Sequence, residues 1–384
     1  MNRRRFVTAT FSLTAAPLLA KDAEKKSPDV TKLDPALAAQ KGTVKNLAWH
    51  NVEDFGVEGR AWTDLPRQRY YDRFPAEAEG KVPPNVWNLS RDCAGMMGRF
   101  KSNASAVHVR YTLLKSTTAM PHMPATGVSG IDLYARDEKG KWRWVNVTKP
   151  VDKQVNQTGA LSEGMTSEPR EYAFYLPLYN GVDKVEFGVN EGATFGGLAP
   201  RPKPIIFYGT SITHGACASR PGMCHPAILG RRFDRPTINL GFSGNGRMDA
   251  SVGDLLCKVD AAVYVIDCLP NMDANLVTER CIPLVKQLRT ARPDTPMVLV
   301  EDRRNTNSWL HADRAKHHDA NHAALREAYA KLQEEGVKKL HYIEGDHLLG
   351  DDGDGATDGS HPSDLGFVRQ ADVMEPVIRA ALGI

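Results

Sequence analysis

Pro204-Ile205-Ile206-Phe207-Tyr208-Gly209-Thr210-Ser211-Ile212-Thr213-His214-Gly215 is the stretch on which the reading of this chain turns. A short apolar run, too brief for a helix, enters a glycine and then a hydroxyl residue. A run that is apolar on both alternating positions suits a strand buried on both faces, as in a parallel sheet covered by helices. At the start of the following turn, Ser211 has an exposed hydroxyl and a backbone N–H directed at any ligand there. Taken alone it reads first as a helix N-cap, and the Gly-x-Ser-x-Gly elbow of the α/β hydrolases is absent.

Downstream the same alternation continues. Predicted strands are Ile205–Tyr208, Thr237–Leu240, Ala261–Asp267, Met297–Glu301 and Lys339–Ile343. Predicted helices are His225–Arg232, Ala250–Lys258, Ala274–Ala291, Arg314–Glu335 and Pro362–Leu382. Strands alternating with helices make an α/β fold with a parallel sheet, in which ligands bind beyond the carboxyl ends of the strands. Three further blocks fall at that end. Asn239-Leu240-Gly241-Phe242-Ser243-Gly244-Asn245-Gly246 offers glycine N–H groups that an oxygen can approach closely, or is a plain turn between strand and helix. Asp267-Cys268-Leu269-Pro270-Asn271-Met272 offers the Asn271 amide, or a helix cap.

Asp358-Gly359-Ser360-His361-Pro362-Ser363 is the most specific of these blocks. Across a three-residue step the carboxylate folds back to accept from the imidazole Nδ1–H, leaving Nε2 as a base towards a hydroxyl. In chain order the candidates are a nucleophile, two donors to a developing oxyanion, and an acid–imidazole pair. His214 is a rival base without an adjoining carboxylate, better read as a substrate contact or as packing.

Upstream, Ala106–Leu114, Gly130–Arg136, Trp142–Val147, Arg170–Leu176 and Lys184–Val189 are β-prone and separated by turn residues. No long helical pattern intervenes, so this half is predicted to be an antiparallel sandwich. Trp62, Trp87, Trp142 and Trp144 are expected in its core. Gly196 to Pro204, rich in glycine and proline, marks the boundary. The domain plan is therefore an export signal at 1–20, a linker at 21–41, an all-β domain at 42–196 and an α/β domain at 204–384.

Composition narrows the class. The 384 residues include 49 basic and 46 acidic side chains, for a net charge of +3 without a basic arm or stripe, which argues against nucleic acid as a partner. The start Asn2-Arg3-Arg4-Arg5-Phe6-Val7, followed by the apolar run Thr8 to Ala20, has the order of an export signal. The run falls short of the ~20 residues of a membrane span, so no membrane integration is expected. The arginines beside Phe6 suggest the twin-arginine route, hence a periplasmic or extracellular location. Among six cysteines, only Cys217 and Cys224 are spaced and placed for a disulfide, with free thiols as the alternative. No Cys/His pattern points to metal: His318 and His322 lack His-Glu-x-x-His and are assigned to a solvated helix face, and Asp351 to Gly355 is an acidic turn. The loop from Glu301 to Trp309 follows a strand on the side of the site, so Arg303 and Trp309 are candidate substrate contacts, with a solvent loop as the alternative.

The four blocks resemble the SGNH/GDSL hydrolase superfamily over about Pro204 to Ile384. The resemblance implies a three-layer flavodoxin-like fold, with Ser211 as nucleophile, His361 and Asp358 as base and orienting acid, and Ser211, Gly244 and Asn271 as oxyanion donors. Two departures stand out: Gly-Asp-Ser is here Gly209-Thr210-Ser211, and Gly-x-Asn-Asp is Leu269-Pro270-Asn271-Met272. Gly130-Ile131-Asp132-Leu133-Tyr134 looks like the GxDLY motif of a jelly-roll-like sandwich preceding a subset of bacterial SGNH hydrolases. That subset resembles carbohydrate acetylesterases, implying an acetylated oligo- or polysaccharide substrate and no cofactor. Esterases or acyltransferases acting on lipids or small molecules, and a non-catalytic carbohydrate-binding protein, are the alternatives.

Overall fold

The computed structural model describes residues 29–39 and 41–384, so the proposed export signal lies outside the described residues. Residues 29–38 belong to a unit of their own, with one helical turn, Val30–Leu33, capped by the Asp29 carboxylate.

In the rest of the chain, the first nine strands are β1 (Leu47–Asn51), β2 (Met97–Ser102), β3 (Ala106–Leu113), β4 (Asp132–Arg136), β5 (Trp142–Val147), β6 (Asn156–Glu163), β7 (Arg170–Tyr175), β8 (Val182–Asn190) and β9 (Phe195–Gly197). They pair antiparallel in two sheets, β1-β8-β3-β6 and β5-β4-β7-β2-β9. The first sheet follows the alternation of its sequence. Val109 and Phe187 point inward as cross-strand partners, while the next pair, Arg110 and Glu186, forms an ion pair on the outer face. Burying each of Phe100, Phe174 and Phe187 between the sheets contributes ~1.5–3 kcal/mol.

β7, the central strand of the second sheet, does not alternate, because both faces are covered there. Tyr172 and Phe174 of β7 face the sandwich core, whereas Ala173 and Tyr175 join a second core with the α/β layer. That layer holds β10 (Ile205–Gly209), β11 (Thr237–Gly241), β12 (Val263–Asp267), β13 (Met297–Val300) and β14 (Leu340–Ile343). Its order β11-β10-β12-β13-β14 is parallel throughout, the flavodoxin-like arrangement with a switch point between β10 and β12. Ile205, Phe207, Val263 and Val265 pack against helices His225–Arg232 and Asp364–Leu382. Ile206, Tyr208, Tyr264 and Ile266 pack on the other face against Ala250–Leu256, Ala274–Ala291 and Ala312–Glu334.

Trp62 and Trp87 are not in the sandwich core, contrary to expectation. The segment between β1 and β2 crosses to the edge strand β11, and both indoles join the core of the parallel sheet, with Trp62 Nε1 donating to the Leu255 carbonyl at 2.8 Å. Arg73, fully buried in the same segment, donates to the carbonyls of Asn239 and Gly241 at 3.0 and 2.9 Å. It thereby satisfies acceptors that an edge strand otherwise leaves unpaired. Trp142 and Trp144 lie on β5, an edge strand of the second sheet, and Trp144 is exposed.

Candidate active site

Ser211 is set off from the end of β10 by one residue and opens the one-turn helix Ser211–His214, whose N-cap is the intervening Thr210 rather than the serine itself. The Thr210 hydroxyl accepts from Ile212 N–H at 3.2 Å, so the cap is provided and the Ser211 side chain is free for another partner. That partner is His361: Ser211 Oγ lies 2.8 Å from Nε2. On the other side of the ring, Nδ1 lies 2.7 Å from Asp358 Oδ2.

Asp358 is held as an anion by its own turn. Partial burial acts to raise its pKa, but Oδ1 accepts from the backbone N–H of His361 at 2.7 Å and of Ser360 at 3.0 Å. Together with the ring N–H these donors bring the carboxyl down to about 2. In the neutral imidazole, donation from Nδ1–H to an ionised Asp358 selects the tautomer whose Nε2 can accept the proton of Ser211.

The β11 exit loop packs against the Ser211 turn. Phe242 N–H donates to the Gly209 carbonyl at 3.0 Å, and a Cβ on Gly246 would come within 2.0 Å of the same oxygen. Only glycine permits that approach. Gly246 N–H in turn donates to Asn271 Oδ1 at 3.3 Å, which leaves the amide NH₂ of Asn271 as the end available to the site. Ser211, Gly244, Asn271 and His361 all line one cavity of about 480 Å³. Arg303 lines it too, buried, with Nε donating to the Ser360 carbonyl at 2.9 Å.

The sandwich contributes to this cavity through Met120, His122 and Tyr179. Tyr179 Oη lies 2.6 Å from Ser243 Oγ and donates to the Ser211 carbonyl at 3.3 Å. No spacing in the sequence singles these residues out. Their position depends on how the second sheet docks on the α/β layer.

Residues 202–379 match the sequence pattern of the GDSL-like lipase/acylhydrolase family, and residues 47–195 match GxDLY, the N-terminus of SGNH hydrolase-type esterases. A protein from Bacteroides ovatus, described as a GDSL-like lipase, shares 32% identity with a TM-score of 0.83, over 88% of this chain and 99% of its own. This chain belongs to the GDSL/SGNH hydrolase family. The salicylyl-acyltransferase SsfX3 of a tetracycline biosynthetic pathway has the same fold at 18% identity, with a TM-score of 0.66 over 90% of this chain and 98% of that one. So does a family two carbohydrate esterase from Cellvibrio japonicus at 14% identity, with a TM-score of 0.54 over 88% and 98%. No curated protein matches the chain.

For several residues of this GDSL family member the structure decides between the alternatives the sequence left open, and for two histidines it corrects the expectation. His214 does not contact the cavity: it is fully buried, its Nε2 donates to the Leu178 carbonyl at 2.7 Å, and its ring stacks on Tyr179 at 4.0 Å. Trp309 is 83% exposed and stands outside the cavity lining, since its loop carries the indole outward into solvent. Cys217 and Cys224 are free thiols rather than a disulfide. Cys224 donates to the Pro221 carbonyl at 3.4 Å in the core, while Cys217, at a φ of 71°, points towards Thr357 and Asp358.

His318 and His322 lie on a buried helix face, not a solvated one. Their rings converge on Asp302, with His318 Nδ1 at 2.9 Å and His322 Nε2 at 3.0 Å from Oδ1. Asp302, His318 and His322, and likewise Cys217, Asp358 and His361, are grouped within a range that metal ligands span. In both groups the carboxylate is hydrogen-bonded to imidazole. The first group anchors the backbone from which Arg303 reaches the cavity. Beneath Ser211, Asp267 is buried and accepts from Thr213 Oγ1 at 2.9 Å; burial raises its pKa to about 7. Among the described residues, no helix is long and apolar enough to cross a membrane.

Proposed function

We propose that this chain is an exported serine esterase that removes short acyl groups, acetyl foremost, from carbohydrate. The observation that carries the reading is the unbroken line of hydrogen bonds from Ser211 Oγ through His361 to Asp358, opening on a cavity of about 480 Å³. His361 takes the Ser211 proton as the hydroxyl attacks the ester carbonyl, and Asp358 stabilises the imidazolium so formed. The N–H groups of Ser211 and Gly244 and the Asn271 amide hold the developing oxyanion. The alcohol leaves with the proton from His361. Water, activated by the same imidazole, then releases the acid and restores Ser211.

Membership of the GDSL/SGNH family supports ester hydrolysis, and the carbohydrate esterases that share the fold support a sugar as the alcohol. The cavity of about 480 Å³, lined by Ser243, Asn271, Arg303 and Ser360 as well as apolar Met120, Ala216 and Pro270, has room for a short acyl group beside Ser211. The residue order at 1–20 supports export by a twin-arginine-type signal. A second reading, transfer of the acyl group to another alcohol, has support in the acyltransferase fold relative.

The test is acetate release from acetylated oligosaccharides and 4-nitrophenyl acetate by the chain and by Ser211→Ala, with and without a competing acceptor alcohol. Release from a sugar ester that disappears in the variant is the expected outcome. Hydrolysis of 4-nitrophenyl acetate alone removes the carbohydrate assignment, an acylated acceptor in place of acetate favours transfer, and equal activity in both proteins removes Ser211.

A further inference from the structure

The segment Gly130-Ile131-Asp132-Leu133-Tyr134 has no part in the chemistry above, yet its side chains divide in a telling way. Ile131 and Leu133 enter the sandwich core, whereas Asp132 and Tyr134 are buried on the opposite face, against the α/β layer. There they meet the loop from Gly215 to Cys224, which leaves the Ser211 turn. Asp132 Oδ2 accepts from Arg220 Nη1 at 2.8 Å and from Gly222 N–H at 2.9 Å, and Oδ1 accepts from Trp144 Nε1 at 2.8 Å. The Tyr134 hydroxyl bonds the same guanidinium.

The fit around Gly222 is tight. A Cβ there would lie 2.6 Å from the Tyr134 ring and 2.7 Å from Asp132 Oδ2, so the backbone itself is pressed onto the two side chains. Arg231 closes the far side, donating to the Gly222 carbonyl at 2.7 Å and lying over the Tyr134 ring at 4.2 Å. A buried carboxylate left without partners is costly, and here the two partners of Oδ2, Arg220 and Gly222, are present only when the loop is docked. The loop conformation and the sheet surface therefore stabilise each other.

The same loop also reaches the base. Thr126 Oγ1, four residues before the segment, donates to the Ser219 carbonyl at 2.6 Å. Ser219 N–H donates at 2.9 Å to Asp364, three residues beyond His361. Cys217 and Ala216 come from the loop as well, one facing Thr357 and Asp358 and the other lining the cavity. The loop thus spans the two halves of the site, the serine turn and the histidine turn.

We propose that Asp132 and Tyr134 are positioning residues: acting through Arg220 and Gly222, they hold the loop from Gly215 to Cys224 so that Ser211 and His361 stay in register for proton transfer. The proposal rests on the reading of Ser211 and His361 as nucleophile and base. It makes the sandwich a working part of the active site. Displacing reacting groups by ~1 Å costs on the order of 10²-fold in rate while leaving substrate affinity largely intact.

The experiment compares Asp132→Asn and Arg220→Gln with Val185→Ala, a control that opens a cavity in the sandwich core away from the loop. Each is measured for kcat and KM on 4-nitrophenyl acetate and for the rate of labelling by a fluorophosphonate, at a temperature where circular dichroism shows it folded. Expected are losses of about 10- to 100-fold in kcat and labelling rate for the two loop variants, with KM within about twofold. Val185→Ala is expected to melt earlier but to work normally. Arg220, being partly exposed, decides the matter if Asp132→Asn does not fold. Normal kcat and labelling in the folded loop variants, or an equal loss in Val185→Ala, overturns the proposal. A wild-type chain inert to the fluorophosphonate, or a labelled Ser211→Ala, refutes the serine reading instead.

Discussion

The hydroxyl of Tyr179, at the exit from β7, lies 2.6 Å from Ser243 Oγ and so ties the sandwich to the loop that carries Gly244. Its ring meanwhile stacks on His214, in the same turn as Ser211. One side chain supports both the serine turn and the neighbouring loop. In Tyr179→Phe the ring packing remains and the hydroxyl's hydrogen bonds to Ser243 and to the Ser211 carbonyl are lost, at about 1 kcal/mol each. The expected result is a roughly 5- to 10-fold lower kcat with KM little changed. Steady-state kinetics on 4-nitrophenyl acetate check it, and an unchanged kcat would show that the Ser243 loop needs no such support.

Asp358→Asn should reduce kcat by about 10²–10⁴, because an amide does not stabilise the imidazolium that forms during attack. Its effect on stability has a definite sign. The carboxyl is depressed to about 2 in the fold, so its stabilising contribution is complete above the ordinary carboxylate range and is lost as pH falls towards 2. Thermal melts between pH 5 and 2 should therefore fall less steeply in Asp358→Asn than in the wild type. Parallel curves would mean that the turn does not depend on the charge.

Asn271 is oriented by a backbone N–H at Oδ1, with its NH₂ left towards the cavity. Removal of one oxyanion donor costs about 10²–10³ in kcat. Asn271→Ala is expected in that range, with KM nearly constant. A loss confined to KM would assign the amide to ground-state binding.

Asp267 titrates in the opposite sense from Asp358. Burial raises its pKa to about 7, so its contribution to stability is complete below the unfolded carboxylate range and declines as pH rises through about 7. The ceiling for this loss is on the order of 4 kcal/mol. Asp267→Asn keeps an acceptor for Thr213 and has no charge to bury, so its melting temperature should rise relative to wild type between pH 5 and 8.5. A constant difference across that range would show that Asp267 is already ionised in the fold at pH 5.

Much of the architecture was legible because it is written in local patterns. The helices His225–Arg232 and Ala274–Ala291 have the bounds their periodicity suggests, and all five strands of the parallel sheet begin within two residues of their predicted positions. Four strands lacked a signal, the first of them the edge strand β1, Leu47–Asn51. β6, Asn156–Glu163, is a polar edge strand; β2 contains Gly98 and alternates poorly; β9 has only three residues. Their pairing depends on neighbours distant in sequence.

For the site, the pattern of residues around Ser211, Gly244, Asn271, Asp358 and His361 determined which groups meet, since each ends a strand of one parallel sheet or opens its last helix. A parallel sheet places all such ends on one side, whatever the loops do. The tertiary structure alone decided what surrounds them. His214 turned inward and Trp309 outward, His318 and His322 closed on a buried Asp302, and Met120, His122 and Tyr179 arrived from the sandwich. The physical reason is the same in each case: backbone periodicity and turn chemistry act over a few residues, whereas burial is set by which surfaces dock, and no local spacing records that.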